Sequence, residues 1–189
     1  MSAGPRDPAA GFSVVAEEEL WRGHIVALSH LRLTDPAGVA FERDVVRHPG
    51  AVAVVALDAD GRVALVRQYR AAVGGAILEL PAGTCDVSGE PLVETARREL
   101  IEEAGLEATS FVELIATYNS PGYCDQVTTV FLATGLRPCA TERAGVEEQH
   151  MTVEWVSLDD LDELLGTGAV LDETTALGLL LARGARRGA

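Results

Sequence analysis

No lysine occurs in the chain: all fifteen basic side chains are arginine, set against 29 aspartates and glutamates for a net charge of −14. This excludes a nucleic-acid partner, whose phosphates require a basic footprint, because the only basic run is the short stretch from Arg183 to Arg187. A small anionic ligand stays compatible, since local arginines and a bound metal reverse the field inside a cleft whatever the net charge. Arginine's planar fork suits phosphate, yet a complete lack of lysine is explained more simply by an arginine-favouring coding composition.

Long apolar runs are missing too. None approaches the ~20 residues that a membrane helix needs, and the opening MSAGPRDPAAG has neither the apolar core nor the basic head of a secretion signal. The expectation is a cytoplasmic protein with no membrane partner. Cysteine is scarce: Cys85, Cys124 and Cys139 are an odd number without C-x-x-C spacing, which excludes a disulfide framework and a zinc site. What remains is a chain of 189 residues, 48% hydrophobic, enough for one sizeable core with a small appended domain.

Residues 1–12, rich in Ala, Gly and Pro, read as a tail. From 13 to 48, short alternating runs (VVAEEEL, HIVALSHLRLT, GVAFERDVVR) with a turn at Asp35-Pro36-Ala37-Gly38 predict a small antiparallel β-domain. A larger unit spans 49–183, with a last tail at 184–189. In it, GAVAVVALD has the continuous apolarity of a strand buried on both faces, Ala59-Asp60-Gly61 turns, and RVALVRQYR and AILEL follow as strands. PAGTCDVSGE reads as a loop. A helix is predicted from about Pro91 to Ala104, stopped by Gly105. Strands FVELIATY, QVTTVFLAT and MTVEWVSL and helices DDLDELL and DETTALGLLLAR complete a mixed α/β order with helices covering a sheet.

Within RELIEEAGL, residues 98–106, three glutamates crowd one helical turn. At ~100° per residue, Val93, Ala96, Leu100 and Ala104 form one stripe and Glu99, Glu102 and Glu103 another. A solvated acidic face is the ordinary explanation, and Glu94 with Arg98 at i,i+4 fits it. Against it, no arginine stands three or four residues beyond any of the three acids, so their repulsion calls for a cation from elsewhere. A hard divalent ion such as Mg²⁺ prefers such carboxylate oxygens and works with one or two of them plus substrate phosphates.

The stretch GTCDVSGEPLVETARRELIEEAGL, residues 83–106, resembles the Nudix box: Glu90, Arg98, Glu99, Leu100, Glu102, Glu103, Gly105 and Leu106 match in type and spacing. One departure is that six residues, not five, separate Gly83 from Glu90. RQYR at 67–70, ELPAG at 79–83 and Pro121, sixteen residues beyond Gly105, are similar to the ADP-ribose pyrophosphatase branch of the Nudix hydrolases. Gln126 stands where many relatives carry an acid.

The resemblance implies a Nudix-type α/β/α sandwich with a mixed sheet, plus an N-terminal antiparallel β-domain exchanged between the subunits of a homodimer. It implies Mg²⁺-dependent hydrolysis of ADP-ribose, or a related nucleoside diphosphate sugar, to AMP and ribose 5-phosphate, with Mn²⁺ as a possible substitute metal. Other nucleoside diphosphate substrates, or a non-catalytic ADP-ribose-sensing domain, are the alternatives. By resemblance Glu99 and Glu103 ligate the metal, Glu102 adds a ligand or bridge, and the Ala82 carbonyl completes the set. Glu90 and Arg98 hold loop and helix together, and Arg70, Glu79, Arg47 and Pro121 contact substrate. The general base is Glu147 or Glu148, with Glu147 the first choice and His150 a weaker one. Trp21 and Phe41 either stack on adenine or belong to a core.

Overall fold

The computed structural model describes residues 11–141, 143, 145, 146 and 148–188. They fall into two compact units, one comprising residues up to Gly50 with Ala116–Thr128, the other Ala51–Ile115 with Thr129 onward.

The first unit is built on an antiparallel sheet of β1 (Ser13–Arg22), β2 (Ala27–Thr34) and β3 (Ala40–Arg47), with β2 in the centre. Asp35 makes the β2–β3 turn as expected: its Oδ1 accepts from the N–H groups of Ala37 (2.9 Å) and Val39 (2.7 Å). Alternation along β2 buries Ala27, Ser29 and Leu31 on one face and leaves His30, bonded to Asp44, on the other. β1 buries almost nothing; Val14, Val15, Leu20 and Trp21 are all more than half exposed.

The second unit contains β4 (Ala51–Leu57), β5 (Arg62–Arg70), β6 (Gly75–Glu79), β7 (Ala82–Thr84), α1 (Leu92–Ala104), β10 (Thr152–Ser157), α2 (Leu161–Gly166) and α3 (Glu173–Gly188). β8 (Leu106–Tyr118) and β9 (Val127–Pro138) complete a seven-stranded sheet in the order β10-β5-β4-β9-β8, with β6 added to β5 and β7 to β4. The apolar run of β4 is explained by two-sided burial. Val52, Val54 and Ala56 pack with Ala96, Leu100 and Ala104 of α1, whereas Ala53, Val55 and Leu57 pack with Leu161, Leu179 and Ala182 of α2 and α3. Helices therefore cover both faces, the layered α/β/α arrangement expected from the element order.

Three sequence readings need correction. The segment read as a loop after Leu80 contains β7, because Ala82–Thr84 pairs with Ala51–Ala53. β8 starts at Leu106, directly after the helix cap, rather than at Phe111. Residues 184–188 continue α3 instead of forming a tail.

α3 is tied to the sheet by a buried hydroxyl. Thr175, fully buried, accepts the Leu80 N–H (2.9 Å) and donates to Asp172 Oδ2 (2.7 Å). Thr175→Val keeps the shape but strands the buried Leu80 N–H, so urea unfolding is expected to show a loss of about 1–3 kcal/mol.

Candidate active site

α1 begins after Pro91, whose ψ of 139° precedes the first turn, and ends where Gly105 takes the left-handed conformation (φ 64°) and returns its N–H to Ile101. The extra residue before Glu90 is absorbed ahead of the helix, in a turn closed by the Glu90 N–H on the Val87 carbonyl with Gly89 at φ 80°. The acidic positions are therefore in register.

They are not a solvated face, however. Glu99 and Glu103 are only 8% and 4% exposed, pressed against β7. The Ala82 N–H donates to Glu103 Oε2 (2.9 Å). Gly83 has no side chain because Glu99 occupies that space: a Cβ there would lie 1.9 Å from the Glu99 carboxyl carbon. The expected lack of a nearby cation also needs correction. Arg98 reaches Glu99 Oε1 (2.7 Å) and Glu102 Oε2 (3.1 Å), one residue and four residues ahead of it along the helix. Glu94 pairs with Arg97 rather than with Arg98. Glu103 is the exception: no salt bridge forms to it among the described residues, and Arg70 acts on it only at longer range.

Electrostatics follow from this packing. Burial pushes the Glu99 carboxyl up to about 7, opposed by Arg98, and pushes Glu103 up to about 8, opposed by the Ala82 N–H. Both groups hold a proton more tightly in the folded chain than in the unfolded one, where a glutamate titrates near 4.5. From about pH 4.5 to pH 8 the folded state binds the extra protons, so metal-free stability falls as pH rises through that window. His30, raised by its bond to Asp44, adds a slope of the same sign, and His48, lowered by burial, one of opposite sign. Melting of metal-free native protein at about pH 5.5 and 8.5, compared with Glu103→Gln, isolates the Glu103 share; the expected result is a smaller decline in the variant.

The donor set fits a divalent cation. Glu99, Glu102, Glu103 and the Ala82 carbonyl offer hard oxygens, and Glu103 is a buried carboxylate without a cationic partner among the described residues. No three Asp, Glu, His or Cys side chains among the described residues already converge on one point, and Arg98 Nη1, which donates to both Glu99 and Glu102, competes with a cation there.

Around this set, Arg70 is forked onto Glu79 (3.0 Å from Nε to each carboxylate oxygen, 2.6 Å from Nη2), and Glu79 is buried. Glu148 lies in a single turn, Glu148–His150, where its carboxylate accepts the Gly145 N–H (3.0 Å); its charge acts on both Glu99 and Glu103. Glu147 lies outside the described residues, and His150 is exposed. Glu90 accepts from the Thr95 hydroxyl (2.8 Å) and stands 3.6 Å from Arg98, joining loop to helix.

Arg47 and Pro121 belong to the other unit. There Arg47 forks onto Glu17 (2.9 Å) and reaches Asp125 (3.0 Å), while Pro121 sits in the turn that returns Tyr123 and Cys124 to the Ser120 carbonyl. Trp21 is 57% exposed and so is no core residue of the single chain; Phe41 packs edge-on against Phe12 at 6.0 Å.

A profile described as the NUDIX domain matches residues 47–177. The chain belongs to the Nudix family. ADP-ribose pyrophosphatase of Mycobacterium tuberculosis is 39% identical over 89% of this chain and 82% of its own, and ADP-ribose pyrophosphatase of Bacillus subtilis is 36% identical over 87% and 89%. A solved structure described as an ADP compounds hydrolase superposes with a TM-score of 0.82 over 97% of this chain and 98% of its own; at 23% identity it bears on the fold alone. The Nudix box is thus the α1 segment with its preceding loop. No helix among the described residues is long and apolar enough to cross a membrane.

Sequence reading missed three residues that tie the Nudix site together: Thr95, Thr175 and Arg143. The D-x-x-T pattern at Asp172 and Thr175 is a helix-start signal that finds the second. A lone loop arginine carries no such signal.

Proposed function

We propose that the chain hydrolyses the pyrophosphate bond of ADP-ribose to AMP and ribose 5-phosphate with Mg²⁺, in the cytoplasm and as a homodimer. The observation that carries this reading is Glu103, a buried carboxylate at a Nudix-box position that accepts a backbone N–H and forms no salt bridge among the described residues. The names of the two pyrophosphatase relatives support the substrate.

Glu99, Glu102, Glu103 and the Ala82 carbonyl would hold the metal. Bound there, Mg²⁺ neutralises phosphate charge and makes a coordinated water more acidic. Glu148 takes the proton of the attacking water as its oxygen bonds to one phosphorus; the bridging oxygen departs with the other phosphate. Arg70, oriented by the buried Glu79, faces the substrate's negative charge. Gly83 and Ala82 keep β7 close enough for the carboxylates to be fixed before substrate arrives.

Residues 13–48 belong to the β-domain, whose compact unit also takes in Ala116–Thr128, and the hydrolase is built on Ala51–Ile115 with Thr129 to the end of α3. The exposed Val14, Val15, Leu20 and Trp21 of β1 support exchange of that sheet with a second copy. Light scattering is expected to give twice the chain mass, and a monomer at micromolar concentration would contradict it.

The test of substrate is a product assay on ADP-ribose, ADP-glucose and GDP-mannose with Mg²⁺. A kcat/KM for ADP-ribose at least ~10-fold above the others, a difference of about 1.4 kcal/mol in transition-state binding, supports the assignment. Equal values across the panel would remove the preference while leaving the hydrolase.

A further inference from the structure

The last turn of α1 contains no basic residue, although its terminal carbonyls form the negative end of the helix. Arg143, from a distant part of the chain, supplies the missing charge. Its Nη2 and Nε donate to the Glu103 carbonyl (2.8 and 3.3 Å), and its Nη1 donates to the Met151 carbonyl (2.7 Å). Met151 is itself buried, and its N–H donates to the Glu148 carbonyl (3.0 Å). One planar fork thus joins the backbone of Glu103 to that of Met151, and Met151 holds Glu148. The Glu148 carboxylate closes its own turn on the Gly145 N–H (3.0 Å).

We infer that Arg143 is a positioning residue, which fixes Glu148 relative to the carboxylate cluster by fastening the turn at Gly145–His150 to the end of α1. The inference rests on the assignment of Glu148 as base made above. Arginine suits the task because two carbonyls at an angle need two donors in one rigid plane, which a lysine ammonium on a flexible stem does not offer.

The experiment is a double-mutant cycle on the full chain, with ADP-ribose and Mg²⁺, over native protein, Arg143→Met, Glu148→Gln and the double variant, joined by amide exchange of the peptide covering residues 145–151. Arg143→Met is expected to lower kcat ~10- to 100-fold, the size of effect that a misplacement of about 1 Å produces, with KM within about twofold. It should speed exchange in that peptide and add nothing to the loss already caused by Glu148→Gln. Arg143→Lys, which reaches one carbonyl only, should recover part of the loss and keeps the test valid if the methionine variant unfolds. An unchanged kcat, unchanged exchange, or the same fold-loss repeated on the Glu148→Gln background overturns the inference alone. Native kcat in Glu148→Gln overturns the base assignment and the inference with it.

Discussion

Glu103→Gln is expected to lower kcat for ADP-ribose on the order of 10³-fold, beyond the ~10–100-fold typical of residues that merely support a metal ligand. The same variant should be at least as stable as native protein when metal is absent at about pH 8.5. Both effects arise from one cause. Glu103 is 4% exposed, and burial pushes its carboxyl up to about 8, so its negative charge is a burden on the metal-free fold. Glutamine accepts the same Ala82 N–H without the charge. With Mg²⁺ at 100 times its Kd the native fold gains about 2.7 kcal/mol, and the variant should gain much less. A variant that is both less stable without metal and fully responsive to it would mean that Glu103 is a structural acid only.

Glu148→Gln is expected to reduce kcat by ~10²–10⁴-fold with little change in KM, as removal of a general base does. Its amide still accepts the Gly145 N–H, so the turn survives and melting should shift little. Glu147→Gln provides the contrast, with kcat expected to stay within about threefold. Stopped-time assays of AMP release at saturating ADP-ribose and Mg²⁺ distinguish the two variants. The reverse ranking would move the role one residue back.

The helix that carries the site was legible because its two ends are marked chemically, by Pro91 and by Gly105, and because glutamates at three, four and one residue spacing are unusual without a reason. Their burial was not legible. Periodicity places Glu99 and Glu103 about 100° and 60° from Leu100, flanking the apolar stripe, but only the approach of β7, three residues long, converts that flank into an interior. β4 was readable from its uninterrupted apolar run, since both of its faces meet helices. Arg98 is instructive in the other direction: looking only forward from each acid overlooked a cation that lies behind them on the same helix. Arg143 could not be found at all, because its two partners are backbone carbonyls, which the identity of residues 103 and 151 does not reveal.

Incubation of native protein with ADP-ribose, first after chelation of metal and then with Mg²⁺ restored, tests the assignment most directly. The expected result is AMP and ribose 5-phosphate in equal amounts once Mg²⁺ is present, with hydrolysis suppressed by chelation. Hydrolysis that proceeds undiminished in the chelated sample, or none in either sample, would contradict a metal-dependent pyrophosphatase built on Glu99, Glu102 and Glu103.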